Sequence, residues 1–192
     1  MNTDIALLLY QKKQTVFSFK ELVLTFPKLS FDSLKNRLNY LVKNNKIQNP
    51  RRGIYTKKGY NLHELAVRIY TPSYISLESI LAKEGLIFQN YKTIFCLSYL
   101  TRKISVDGID IQYRKITDRI LFNQEGIFYQ DYFYQASKER AFLDAVFLYK
   151  DYHFDNLGVL DWIKIRKNAA IYQNKVFNKR VEEYFQIYKK GK

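Results

Sequence analysis

Apolar residues recur at helical spacing three times within the first 44 residues of this chain. Ile5, Leu8 and Leu9 predict a first helix, begun by Thr3 as N-cap and running to about residue 12. Thr15-Val16-Phe17 reads as a short strand-like stretch. Ser18 with Glu21 three residues on is a capping-box signature opening a second helix. That helix ends at Phe26, because a residue before proline is pushed out of the α region. Ser30 caps a third helix over residues 31 to about 44, with Phe31, Leu34, Leu38, Leu41 and Val42 on one face. The pattern then changes to strand, turn and strand: Lys46-Ile47-Gln48, Asn49-Pro50-Arg51-Arg52-Gly53 and Ile54-Tyr55-Thr56. Proline presets φ and glycine supplies a permissive position, so the turn has a mechanism. Three helices followed by a strand–turn–strand within sixty residues predict a winged helix-turn-helix with Arg51 and Arg52 at its wing tip.

Beyond residue 60 helical and strand patterns alternate. Asn61 and Glu64 mark a capped helix with Leu62, Leu65, Ala66 and Ile69 on its apolar face, ended by Pro72. Ser76 as N-cap and Gly85 as the residue past the C-cap bound a compact helix. A strand is expected over 94–99, and a hairpin over 103–116 around an Asp107-Gly108 turn. Residues 126–134 are aromatic and strand-like, and a helix opens after Ala136 and runs to about residue 150. A last helix is expected over 174–189, with Val176, Phe177, Val181, Tyr184, Phe185 and Tyr188 on its apolar face. The predicted class is α+β: an N-terminal winged helix over 1–60, then a mixed α/β domain over 61–192 with C-terminal helices.

Composition narrows the picture less than charge does. With 47% hydrophobic and 26% charged residues the chain can bury an ordinary core. The one cysteine, Cys96, excludes an internal disulfide framework. No early apolar run resembles a signal peptide and none nears membrane-spanning length, so the sequence predicts a cytoplasmic protein with no membrane partner. The net charge of +14 is segregated: +9 over residues 1–60, −2 over 61–161 and +7 over 162–192. A uniform compositional bias toward lysine would not leave a near-neutral middle between two basic ends. Segregated positive charge is the footprint of a polyanion, and no helix pairs a basic face with a lipid-facing stripe.

Candidate chemistry therefore centres on nucleic acid. Opposite its apolar face the third helix shows Asp32, Asn36, Asn39, Tyr40 and Lys43, flanked by Lys35 and Arg37. Asparagine pairs with adenine through two hydrogen bonds, and lysine or arginine reaches guanine or phosphate. Any amphipathic helix leaves such a face in water; the basic turn downstream tips the reading toward DNA. Asn36, Asn39 and Tyr40 are the base-reading candidates, and Lys35, Lys43, Arg51, Arg52, Lys57 and Lys58 the phosphate or groove contacts. Lys164, Arg166, Lys167, Lys175, Lys179 and Arg180 suggest a second nucleic-acid surface, although aromatics at helical spacing beside them are usually core.

No catalytic constellation is legible. His63 and His153 lack metal-ligand spacing, Cys96 sits in an apolar strand, and no phosphate-binding loop or paired-cysteine zinc pattern occurs. Asp107, Asp110 and Arg114-Lys115 come nearest to a nuclease site, but the turn explains Asp107. No enzyme activity, metal or cofactor is expected. Ile75, Leu77, Ile80 and Leu81 read as core, Glu78 as a capping or ion-pair residue, and Asp144 as the partner of a nearby base.

The Arg-Gly-Ile-Tyr turn, residues 74–81 with Gly85-Leu86-Ile87, and residues 136–144 together resemble the AbiEi family of antitoxins. These are the antitoxin halves of type IV toxin–antitoxin systems implicated in phage defence, and the likeness covers roughly residues 1–150. Lys138 stands where family members often have proline, and Ala141-Phe142 where they have Ala-Leu. The resemblance implies a winged helix that binds inverted repeats of double-stranded DNA in the operon's own promoter, as a monomer or weak dimer. It also implies an α/β domain that neutralises a nucleotidyltransferase-type toxin. The alternatives are a winged-helix protein-interaction or RNA-binding module, or a stand-alone regulator without a toxin.

Overall fold

The computed structural model describes residues 4–191, and the chain forms two compact units, one up to Tyr70 and one from Thr71. The fold is α+β. In the first unit the elements are α1 (Ile5–Gln11), β1 (Val16–Ser18), α2 (Phe19–Thr25), α3 (Phe31–Lys43), β2 (Gln48–Arg51), β3 (Ile54–Thr56) and α4 (Leu62–Ile69). Asp4 caps α1 by accepting the Leu7 N–H at 3.2 Å, while the expected cap, Thr3, lies outside the described residues. The capping box of α2 is complete: Ser18 accepts the Glu21 N–H at 3.2 Å, and the Glu21 carboxylate accepts the Ser18 N–H at 2.9 Å.

Three helices and a three-stranded antiparallel sheet, ordered β1-β3-β2, enclose one core. Its buried members are Ile5, Leu9, Phe17, Leu22, Phe26, Leu34, Leu38, Ile47 and Tyr55. Leu8, expected in the α1 stripe, is exposed instead. A two-turn helix meets the core along one i, i+4 pair, here Ile5 and Leu9, and Leu8 lies at its margin. Phe31 is also exposed, with its ring edge-on to Phe19 at 4.7 Å.

The hairpin departs from its expected register. Asn49 and Pro50 belong to β2, and the turn is the two residues Arg52-Gly53, with Gly53 at φ +79°. Proline is tolerated because β2 is the edge strand and its register shifts between Gln48 and Arg51. The Asn49 amide donates to the carbonyls of Arg51 (2.9 Å) and Ile54 (2.6 Å), so it fastens the hairpin from inside.

Helix α4 belongs to the first unit, which moves the division from residue 60 to after Tyr70. The reason is Glu64, buried and accepting hydrogen bonds from Thr15 N–H (2.9 Å), Thr15 Oγ1 (2.6 Å) and Val16 N–H (3.0 Å). One carboxylate thus ties α4 to the start of β1. Since hydrogen bonds to charged groups contribute about 1.5–3 kcal/mol each in mutational series, Glu64→Ala is expected to lower stability by about 2–3 kcal/mol in urea unfolding. A loss under about 0.5 kcal/mol, the level of an ordinary surface change, would refute this role.

The second unit is built on a six-stranded mixed sheet ordered β6-β7-β5-β4-β9-β8. Its elements are β4 (Ser73–Ile75), α5 (Glu78–Lys83), β5 (Ile94–Ser98), β6 (Arg102–Val106), β7 (Ile109–Lys115), α6 (Asp118–Leu121), β8 (Ile127–Gln130), β9 (Phe133–Ala136), α7 (Lys138–Leu148), α8 (Trp162–Ala169) and α9 (Lys175–Lys190). Helix α7 is buried from Glu139 through Val146 because α5, α8, α9 and β9 all pack on it. Helix α5 closes as expected: Gly85 at φ +72° gives a Schellman end, with Leu86 N–H to Leu81 O at 2.8 Å and Gly85 N–H to Ala82 O at 3.1 Å. Its start differs. Leu77, at φ 53°, holds the N-cap position without a side-chain cap, because the Ser76 hydroxyl is used elsewhere, donating to Asp144 at 2.8 Å.

The Asp107-Gly108 turn pairs β6 with β7 as expected. Residues 126–134 do not form one strand: they fold at Asp131-Tyr132, with φ values of 49° and 69°, into the β8–β9 hairpin. Helix α8, which periodicity did not single out, begins at Asp161, whose carboxylate accepts the N–H groups of Ile163 (3.0 Å) and Lys164 (3.2 Å).

Candidate nucleic-acid interface

Helix α3 is anchored by the buried Leu34 and Leu38, and the face opposite them points outward. Lys35, Asn36, Asn39, Tyr40 and Lys43 are all exposed, as is Asp32 near the start of the helix. Asn36, Asn39, Tyr40, Val42 and Lys43 line one open cleft of about 450 Å³ together with Asn49 of β2. The structure therefore brings the base-reading candidates together beside the hairpin.

The basic residues divide into two groups. Arg52, at the turn, and Lys58 are exposed. Arg51 is half-buried: its guanidinium donates to the Tyr70 hydroxyl at 3.1 Å and lies 5.5 Å from that ring's centroid. Lys57 contradicts the expectation outright. It is 8% exposed, its Nζ donates to the Lys12 carbonyl, and it lies 5.7 Å from the Tyr10 ring centroid. Burial lowers its pKa while the charge of Glu64 works against that shift. Residue 57 directly follows β3, which is buried at every position, and its N–H donates to the Thr15 carbonyl at 3.0 Å, so its side chain starts among buried neighbours. Lys57→Ala is accordingly expected to leave the salt slope of any DNA binding unchanged while lowering stability by about 1 kcal/mol. A slope reduced as much as by an exposed-lysine variant would restore Lys57 to the interface.

The second basic group is less free than its sequence suggested. Lys164, Arg166, Lys167, Lys175 and Lys179 are exposed, but Lys167 pairs with Glu125 at 2.8 Å and Lys164 lies 3.7 Å from Asp161. Arg166 sits over the Phe185 ring at 4.3 Å. Arg180 is half-buried and donates to the Tyr149 carbonyl at 2.7 Å, so it serves the fold. Glu182 and Glu183 interrupt the lysines of α9. The aromatics of α9 are core: Phe177 and Val181 are buried, Tyr184 packs on Phe142 and Phe154, and Phe185 and Tyr188 pack on Trp162. Val176 is exposed, contrary to its expected place on that face. A base-stacking platform is not what these rings form.

Sequence reasoning caught only part of a buried polar network in the second unit. Arg140 and Asp144 are fully buried, with Nε to Oδ1 at 3.3 Å. The guanidinium also donates to the carbonyls of Ile120 (2.7 Å) and Glu125 (2.7 Å), and the carboxylate accepts from Tyr172 (2.6 Å), Ser76 (2.8 Å) and Tyr74 (3.1 Å). Burial is the largest single influence on the Arg140 pKa and would lower it, but Asp144 together with Tyr74 and Tyr172 outweighs burial, so the pKa is raised and the guanidinium stays protonated. Pairing at i, i+4 was the readable signal; the hydroxyl and carbonyl partners lie 15 to 70 residues away in sequence.

The remaining reactive side chains stand apart. Cys96 is buried, which pushes its thiol pKa up and away from nucleophilic use. His153 is exposed, 3.4 Å from Asp155, and Asp110 pairs with Lys103 at 2.8 Å on the surface. Glu78 is buried beside the Tyr149 hydroxyl at 3.5 Å, and burial raises its pKa. Among the described residues no group of three or more His, Cys, Asp or Glu side chains is placed to hold a metal ion, and no helix is long and apolar enough to cross a membrane. No protein-family model matches this chain, and no curated protein matches its sequence.

Proposed function

We propose that the first unit is a winged helix-turn-helix that binds double-stranded DNA, with α3 in the major groove and the β2–β3 hairpin as the wing. One observation carries this reading: an exposed face of amides, a tyrosine and lysines on α3 shares a cleft with a hairpin tipped by the exposed Arg52. The charge of +9 over residues 1–60 supports a polyanionic partner. The chain then acts as the antitoxin and autorepressor of a type IV toxin–antitoxin operon, in the cytoplasm, without enzymatic activity or cofactor. The toxin would be of nucleotidyltransferase type, and the protein would sit on promoter inverted repeats as a monomer or weak dimer.

Support for the antitoxin half is the resemblance at residues 74–81, 85–87 and 136–144. Those residues work as packing in this fold: Tyr74, Ser76, Arg140 and Asp144 form one buried network. Their likeness is therefore one of fold core, and the toxin-facing surface lies elsewhere. A protein partner for the second unit is favoured by its sheet edges. Edge β6 carries Arg102 and Lys103, whereas edge β8 carries no charge and exposes Phe128 and Tyr129.

The test is a promoter–reporter fusion combined with toxin co-expression, using the full chain. Lys43→Ala/Arg52→Ala is expected to abolish repression while leaving growth rescue intact. Loss of both together in a folded protein would contradict the division of labour, and unimpaired repression would contradict the interface.

A further inference from the structure

Asparagine is abundant around α3, and the structure separates the asparagines that hold the fold from those left for a ligand. Asn44 donates its amide to the Tyr40 carbonyl at 2.8 Å, and Asn49 spends its amide on the Arg51 and Ile54 carbonyls. Asn36 and Asn39 are exposed, line the cleft, and make no side-chain hydrogen bond among the described residues. Helix periodicity fixes their relation. Three residues apart, they stand on one face and are separated by about 4.5 Å along the axis, a little over one base step of about 3.4 Å.

The side chains best suited to guanine are placed differently. A guanidinium fork is the commonest reader of guanine O6 and N7. The one arginine of α3, Arg37, is half-buried and already engaged, and Arg51 is held against Tyr70. The face that points outward thus offers two free carboxamides, each matching the donor and acceptor pair of adenine N6 and N7. Lys35 and Lys43 flank them as point charges suited to phosphate.

We propose that α3 reads two neighbouring A·T base pairs in the major groove, with Asn36 and Asn39 each making a two-point contact to one adenine. This inference rests on the DNA-binding reading and adds the sequence class of the site. Tyr40 and Lys43 line the same cleft beside them.

The experiment is selection of the full chain against a random duplex pool at physiological salt, followed by titrations with 7-deazaadenine at each enriched adenine. That analogue removes the N7 acceptor and leaves Watson–Crick pairing intact. Two adjacent enriched adenines are expected, each losing roughly five- to a hundredfold in affinity on substitution. Asn36→Ala should abolish that sensitivity at one position and Asn39→Ala at the other, and both exposed substitutions should leave the fold unchanged by circular dichroism. An enriched site defined by guanine, or adenines indifferent to loss of N7, would overturn the adenine assignment while leaving DNA binding in place. No enrichment and no duplex affinity above that of a random pool would overturn the DNA reading as well, and with it this inference.

Discussion

Arg140→Ala is expected to destabilise the second unit by about 3–5 kcal/mol, the range for removing one partner of a buried ion pair. The substitution deletes the cation beside Asp144 and leaves a fully buried carboxylate held by three hydroxyls alone. It also removes the guanidinium donor from the carbonyls of Ile120 and Glu125, of which Ile120 keeps the Asn123 N–H at 3.2 Å. The pair joins β4, α7, the segment around residues 120–125 and Tyr172, so its loss loosens several elements at once. Because a buried pair must first be desolvated, its net value is smaller than the penalty for breaking it. The double variant Arg140→Met/Asp144→Leu is therefore expected to be more stable than Arg140→Ala, since it leaves no buried charge. Urea unfolding of both variants decides the matter. An Arg140→Ala loss below about 1 kcal/mol would mean that water reaches the site, against its complete burial.

The second large effect concerns binding. Replacing Lys35, Lys43, Arg52 and Lys58 together by alanine is expected to reduce the slope of log affinity against log salt by about 3 to 4. Counterion release contributes about 0.9 per phosphate contact on B-form DNA. At physiological salt this amounts to roughly a thousandfold in affinity, spread over all sequences, because phosphate contacts carry no base information. All four side chains are exposed, so stability should hold within about 0.5 kcal/mol. A folded variant with an unchanged slope would show that phosphates are met elsewhere, with the lysines of α8 and α9 the next to test.

Legibility followed the range over which each signal acts. Five helices with side-chain caps were readable, because Ser18, Ser30, Asn61, Ser137 and Asn174 each mark a helix start within three residues, whereas α8 was missed although Asp161 caps it. So was the Asp107-Gly108 turn, where positive φ is required at both positions. The Asp131-Tyr132 turn was not, because a tyrosine in the left-handed region follows no local preference and is imposed by pairing of β8 with β9. Ser76 looked like a cap and serves Asp144 instead, a partner 68 residues away. In the candidate interface, helical period identified the exposed face of α3. It carried no information on Lys57 or Arg51, whose positions are set by Lys12, Tyr10 and Tyr70 across the fold. Basic residues in a row therefore overstated the interface: charge is visible in sequence, but the carbonyls and rings that capture it are not.

The central claim is that the first unit is a sequence-specific reader of duplex DNA. It is tested most directly by fluorescence anisotropy of the full chain against duplex from its own promoter and against a scrambled duplex, at low and physiological salt. A promoter preference of about tenfold or more that survives physiological salt is the expected result, equal to about 1.4 kcal/mol of discrimination carried by base contacts. Equal affinity for both duplexes, erased by salt, would contradict the account and leave the exposed cations of α3 and the hairpin as a nonspecific basic surface.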